Sequence, residues 1–215
     1  KTEPRITSGY IGFTLAPRLN AAGRIRSATV AVELFLATDY EKAKAIAQEL
    51  CEANRERQVE ENRITADAFE KIEREHDFEN DPVIVLDDDT WPQGIVGIVA
   101  SRITERFGLP SILISFDGAT RGYPAQDDIG KGSGRSIKGM NLVEALTACE
   151  DSLVRFGGHE LAAGLSIQRG SINYFTTLMN QYARERLNED DLAVHLDADC
   201  ELTMGDLTLS LAEEL

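Results

Sequence analysis

Val83-Ile84-Val85-Leu86, Trp91-Pro92-Gln93-Gly94-Ile95-Val96-Gly97-Ile98-Val99-Ala100-Ser101-Arg102 and Pro110-Ser111-Ile112-Leu113-Ile114-Ser115 decide the fold. The first and third are short apolar runs bounded by turn residues, the pattern of strands buried on both faces. The middle one has helical period and runs to Phe107, where Gly108 closes it. Strand, helix and strand in about 30 residues make a βαβ unit with a right-handed crossover. The class predicted is α/β: a mixed sheet flanked by helices. The glycine-rich start of the helix leaves backbone N–H groups free to face an anion. Asp87-Asp88-Asp89 follows the first strand. Three carboxylates there can ligate a metal, but no histidine or second acidic cluster lies near, so the expectation is a solvated strand-end loop.

Downstream, Gly130-Lys131-Gly132-Ser133-Gly134-Arg135-Ser136-Ile137 alternates glycines with cations and hydroxyls. Open backbone with Lys, Arg and Ser suits contact with a polyanion, although such runs also make plain flexible loops. Asn141 caps a helix through Leu146. Then comes Arg155-Phe156-Gly157-Gly158-His159-Glu160-Leu161-Ala162-Ala163-Gly164. Two glycines admit a close approach and His159 offers a titratable ring there; the competing reading is a tight Gly-Gly turn beside a bystander histidine. A strand at 163–167 and a helix from Ile172 to about Leu187 follow, with a short antiparallel strand expected at Thr120–Tyr123.

Upstream, Ile11-Gly12-Phe13 reads as an extended entry into Leu15-Ala16-Pro17-Arg18-Leu19-Asn20-Ala21-Ala22-Gly23-Arg24. Arg18 and Arg24 are bidentate phosphate donors and Asn20 adds an amide; the bland reading is a short helix with solvated arginines. A helix covers residues 27–36. From Tyr40 to about Glu75 there is no Pro or Gly, and apolar residues recur at helical spacing. That is one long helix, with Asp39 at its start, read as a rigid connector rather than a coiled coil because its heptad spacing breaks at 53–64. His76 to Pro82 is a turn-rich break.

The totals constrain partners. The 215 residues are 42% hydrophobic, enough for a core, and carry a net charge of −15. That charge is uneven: +3 over residues 1–38, −10 over 39–90, +1 over 91–186 and −9 over 187–215. The motif-bearing segments are neutral to basic, so a nucleic-acid contact would be a local groove of salt-dependent affinity. No apolar run is long enough to span a membrane. Cys51, Cys149 and Cys200 are odd in number and lack metal-ligand spacing, which favours reduced thiols and a cytoplasmic setting. The alternation at 193–202 reads as a half-buried strand. His195, Asp197 and Asp199 are expected on its surface face rather than as ligands.

Three of these blocks, in this order, resemble the RecJ single-strand-specific DNA exonucleases of the DHH phosphoesterase superfamily. They are Leu15 to Arg24, Gly-Ser-Gly-Arg-Ser at 132–136, and Phe156-Gly157-Gly158-His159 with Ala162-Ala163-Gly164; Asn54-Arg55-Glu56-Arg57-Gln58 in the long helix agrees. The resemblance implies four parts: the tail of a catalytic DHH domain over 1–38, a connector helix over 39–78, a DHH-associated substrate-binding domain over 79–188, and the start of an OB-like β region over 189–215. It implies 5′–3′ hydrolysis of single-stranded DNA in repair and recombination. The metal is Mn²⁺ or Mg²⁺, held by an N-terminal DHH domain upstream of residue 1, so no metal ligand is expected in this chain and the chain alone is expected to be inactive. Ser133, Gly134, Arg135, Ser136, Gly157, Gly158, Arg18, Asn20 and Arg24 would hold the strand. His159 would sit beside the scissile phosphate as a charge-stabilising donor. Pro92 departs from the family pattern, which has histidine there. Set against this are an oligoribonuclease or cyclic-dinucleotide phosphodiesterase of the same superfamily, a non-catalytic single-strand-binding module, and a helical scaffold.

Overall fold

A computed structural model describes residues 6–116, 125–193 and 198–214. The expected strand at Thr120–Tyr123 and the centre of the alternating stretch at 194–197, with His195 and Asp197, lie outside them.

The chain opens with helices. One turn, α1 (Ser8–Tyr10), passes into a π-helical turn at Ile11–Leu15 and then α2 (Ala16–Ile25), so the extended entry expected at Ile11–Phe13 is instead helical. Pro17 sits in the first turn of α2, just after the π-helical turn. α3 spans Thr29–Leu36 and α4 spans Tyr40–Glu75, 36 residues long. Asp39 caps α4 by accepting from the Lys42 N–H at 2.8 Å. Asp39→Ala is expected to cost about 1 kcal/mol, read as a lower urea midpoint. α4 is more than a spacer, because Ala22, Leu50 and Ile46 form a small core under α2 and α3, while its second half is part of the main core.

Beyond the break come β1 (Ile84–Asp88), α5 (Gln93–Phe107), β2 (Ser111–Ser115) and β3 (Ile129–Arg135). α6 (Leu142–Ala148), the hairpin β4 (Arg155–His159) and β5 (Ala162–Gln168), and α7 (Ile172–Arg184) follow. The sheet order is β1-β2-β3-β5-β4; β1 and β2 are parallel, and the other neighbours antiparallel. Gly108 ends α5 at φ 68°, as a glycine stop should. In 189–215 the described residues show short helices, α8 (Glu189–Leu192) and α9 (Leu209–Glu214), and no strand.

Strand alternation sorts side chains to two faces. One face carries Ile112, Ile114, Leu165 and Ile167 and is covered by α6 and α7 through Leu142, Phe175 and Met179. The other carries Ile84, Leu86 and Leu113, covered by α5, with Ile64, Ala68 and Ile72 of α4 behind it. Trp91 is fully buried there and donates from Nε1 to Asp67 Oδ2 at 2.7 Å, which pins the start of α5 to α4. α5 lies over β2 and β3 and α4 reaches β1, so among the described residues β5 and β4 have no helix packed over them on this face.

The Asp87-Asp88-Asp89 expectation is corrected. Asp87 and Asp88 belong to β1, Lys71 pairs with Asp88, and Arg169 pairs with Asp87, Asp89 and Asp128. Burial raises the carboxyl of Asp87 above its ordinary value, against the pull of Arg169 and Lys71. Asp87 and Asp88 are strand residues held by cations from distant parts of the chain, and Asp89, exposed in the bend that follows, is paired with Arg169.

Candidate nucleic-acid interface

The bare half of the sheet is built by register. Three rows cross it: Lys131–Ser166–Arg155, Ser133–Gly164–Gly157 and Arg135–Ala162–His159. Directly paired residues point to the same face, so three cations and a histidine surround a floor of small residues. The intervening Gly130, Gly132 and Gly134 point the other way. A Cβ there would meet Ile114 and Phe116, Leu165, or Leu142 and Ile112, each within 2.7–2.8 Å at closest. These glycines relieve the core rather than exposing backbone to a ligand. The alternating run is a strand, not a flexible loop.

Gly157 and Gly158 are also strand residues, and the hairpin turn falls at Glu160-Leu161, so the tight Gly-Gly turn is ruled out. The two glycines differ in what requires them. A Cβ on Gly158 would lie 2.5 Å from Ala162 O, a demand of the hairpin itself. A Cβ on Gly157 would meet nothing within 4 Å, and on Gly164 only Gly132 O at 3.7 Å. Internal packing does not require those two glycines; they leave clear space above the sheet.

Two contiguous clefts occupy this face. One, about 460 Å³, is floored by Gly157, Gly164 and Ser166 and walled by Lys131, Arg155 and Gln93. The other, about 500 Å³, is formed by Asn20, Arg24, Gln93, Ser133 and Arg135. They share Gln93 and Ser133. The second depends on α2 docking against the start of α5, where Arg24 donates to Gly94 O at 3.0 Å.

Arg135 is the centre of the second cleft. Its Nε donates to Ser101 Oγ at 3.0 Å, and its NH1 donates to Ser133 Oγ at 3.1 Å and Gly134 O at 2.8 Å. Its remaining donors have room toward the cleft. Burial first, and Arg24 second, push its guanidinium below the ordinary value; it still remains cationic at any physiological pH. Among the described residues no carboxylate forms an ion pair with Arg24, Lys131, Arg135 or Arg155. A half-buried cation beside a second cation, with no described acid paired to either, suits an anion.

Of the residues singled out by sequence, Asn20, Arg24, Ser133, Arg135 and Gly157 line these clefts. His159 is exposed at the end of the third row. Four do not converge there. Gly158 lines neither cleft; a Cβ on it would meet Ala162 O and Ala163 of the hairpin partner. Arg18 lines a different cavity with Phe13, Asn54, Arg55 and Arg57, and donates to Thr14 O. Ser136 is buried and donates to Met140 O at 2.7 Å. Gly134 faces the core and lines neither cleft; its carbonyl accepts from Arg135 NH1. Lys131, part of the run read as suiting a polyanion, lines the first cleft, and Arg155, Ser166 and Gln93 are the residues missed; strand alternation through Arg155-Gly157-His159 would have found Arg155. Pro92 stands just before Gln93 at the start of α5, at the rim of the clefts. Among the described residues no three His, Cys, Asp or Glu side chains gather as a metal-ligand set. No described helix is long and apolar enough to cross a membrane.

An α/β module with a bare, cation-rung sheet face is the class that this fold and site define, and residues 80–185 match the family model of the DHHA1 domain. Over nearly its whole length the chain is homologous to a part of the RecJ exonucleases. It is 37% identical over 204 residues to the single-stranded-DNA-specific exonuclease RecJ of Bacillus subtilis, covering 94% of this chain and 25% of that protein. It is 38% identical over 219 residues to that of Dickeya dadantii, covering 98% and 36%. The structure of RecJ from Thermus thermophilus with Mg²⁺ superposes with a TM-score of 0.69 at 35% identity, over 82% of this chain and 26% of that one. A manganese-bound exonuclease RecJ gives 0.68 at 34% identity, over 83% and 42%. The chain thus spans between 25% and 42% of the length of these relatives.

Proposed function

We propose that this chain is the substrate-holding part of a RecJ-like exonuclease, which degrades single-stranded DNA from 5′ to 3′ in repair and recombination in the cytoplasm. The observation that carries it is the unbalanced cation set, Arg24, Arg135, Lys131 and Arg155, around a floor of small residues on an open sheet face. Such a groove takes a phosphodiester backbone through guanidinium forks and an ammonium, and clearance over Gly157 and Gly164 lets the strand lie close. The local concentration of cations on this face reconciles a −15 chain with a polyanionic ligand.

Residues 1–38 would belong to the catalytic DHH domain, 39–78 to the connector, 79–188 to the substrate-binding domain and 189–215 to the start of an OB-like region. The relatives were solved with Mg²⁺ or Mn²⁺, and the ligands for such an ion would come from the N-terminal DHH domain of the same polypeptide. When bound, the ion supplies charge stabilisation and an activated water. This chain's residues would hold the strand, with His159 donating toward the scissile phosphate.

The test is binding and turnover side by side. The 215-residue chain should release no nucleotide from a labelled oligonucleotide with Mn²⁺, while the polypeptide carrying the DHH domain should release it. Metal-dependent release by the chain alone would sink the division of labour. Binding of the oligonucleotide that does not weaken with salt would sink the groove.

A further inference from the structure

We propose that Lys131, Arg155 and Ser166 form a second phosphate seat, distinct from the Arg24–Arg135 seat and in register with it along one strand of nucleic acid. This rests on the strand-holding reading above and adds the path and span of the strand.

Three observations carry it. First, two cations from different strands converge on one hydroxyl: Lys131 Nζ donates to Ser166 Oγ at 3.0 Å and Arg155 Nε donates to it at 3.3 Å. Ser166 is 2% exposed. A hydroxyl that accepts twice keeps its own proton to donate. Among the described residues no carboxylate forms an ion pair with either cation, so like charges are gathered at a point that only an anion would balance.

Second, the spacing is set by the sheet. Lys131 and Arg135 lie on the same face of β3 four residues apart, about 13 Å at the rise of a strand. The Ser133–Gly164–Gly157 row lies midway, about 6.6 Å from each. These intervals are close to one and two phosphate steps of an extended single strand. A strand running parallel to β3 would place one phosphate at Arg135, the next over the glycine row and the third at Lys131 and Arg155.

Third, the floor between the seats is open. At Gly157 and Gly164, the two glycines of the middle row, packing leaves a Cβ unobstructed. Side chains there would stand under the middle phosphate, and glycine removes them.

The experiment uses the polypeptide with its DHH domain, in EDTA to stop turnover, and oligothymidylate followed by fluorescence anisotropy over a salt series. Lys131→Ala and Arg155→Ala are each expected to weaken binding about tenfold. Each should also flatten the salt slope by about 0.7, one phosphate contact on a single strand. A dinucleotide with a 5′-phosphate, too short to span both seats, should lose affinity with Arg135→Ala and be indifferent to Lys131→Ala. Lys131→Gln and Arg155→Gln, which keep most of the stem, guard against loss of fold. If the Lys131 and Arg155 variants bind oligothymidylate with unchanged affinity and slope while Arg135→Ala does not, the second seat is wrong and the strand-holding reading survives. If the dinucleotide is as sensitive to Lys131→Ala as the longer probe, the spacing is wrong. If Arg135→Ala is also without effect, both readings fall.

Discussion

Arg135→Ala is expected to weaken single-strand binding about 10- to 100-fold at low salt. Each charge-assisted hydrogen bond to phosphate is worth roughly 1.5–3 kcal/mol when the partner is partly desolvated. Arg135 meets that condition: it is half-buried, and Ser101, Ser133 and the Gly134 carbonyl fix the plane of its guanidinium. The side chain arrives already oriented, so little rotamer entropy is lost when phosphate binds. Arg135→Lys keeps the charge but loses the fork and the three anchoring bonds, and should fall between, near tenfold. Stability should respond differently. With Arg24 beside it and no described carboxylate in an ion pair with it, Arg135 carries an unrelieved charge in the free protein. Removing that charge should leave the urea midpoint unchanged or raise it. A variant that binds as well as the parent, or that binds less only because it unfolds, would remove Arg135 from the site.

The strands and helices of this fold were legible because the patterns that specify them are local. Val83–Leu86 and Ser111–Ser115 are apolar runs, Gly108 is a helix stop, Asp39 and Asn141 are caps, and Tyr40–Glu75 lacks any breaker; each appears where expected. The faces were less legible, because a face needs a period and a partner. Gly130, Gly132 and Gly134 read as open backbone until Leu165 and Leu142 are placed against them. In α2, Arg18 and Arg24 are six residues apart, roughly 240° around a helix. They cannot both face one cleft, whereas Asn20 and Arg24, four apart, share a side. The helical period alone separates them once Leu15–Arg24 is taken as a helix. The fate of Asp87 and Asp89 was out of reach, because Arg169 lies some 80 residues downstream.

Gly94→Ala is expected to destabilise the protein by about 2–4 kcal/mol and to reduce strand affinity with it. The helix alone predicts the opposite sign, since alanine is favoured over glycine in a helix by about 1 kcal/mol. What decides is the neighbour. A Cβ at Gly94 would stand 2.3 Å from Arg24 O and 3.0 Å from both its carbonyl carbon and Cα. All three are backbone atoms, so no rotamer change relieves the overlap, and α2 must move off α5. That shift would break the Arg24 hydrogen bond to Gly94 O and draw Asn20 and Arg24 away from Ser133 and Arg135. Stability and binding should therefore fall together, unlike in Arg135→Ala, where binding falls alone. Gly12→Ala is the control: a Cβ there meets nothing within 4 Å, and the helical backbone around it favours alanine. A Gly94→Ala protein that melts at or above the parent temperature with binding intact would mean that α2 and α5 are not held together in solution. The wall that Asn20 and Arg24 give the cleft would then not be a fixed part of it.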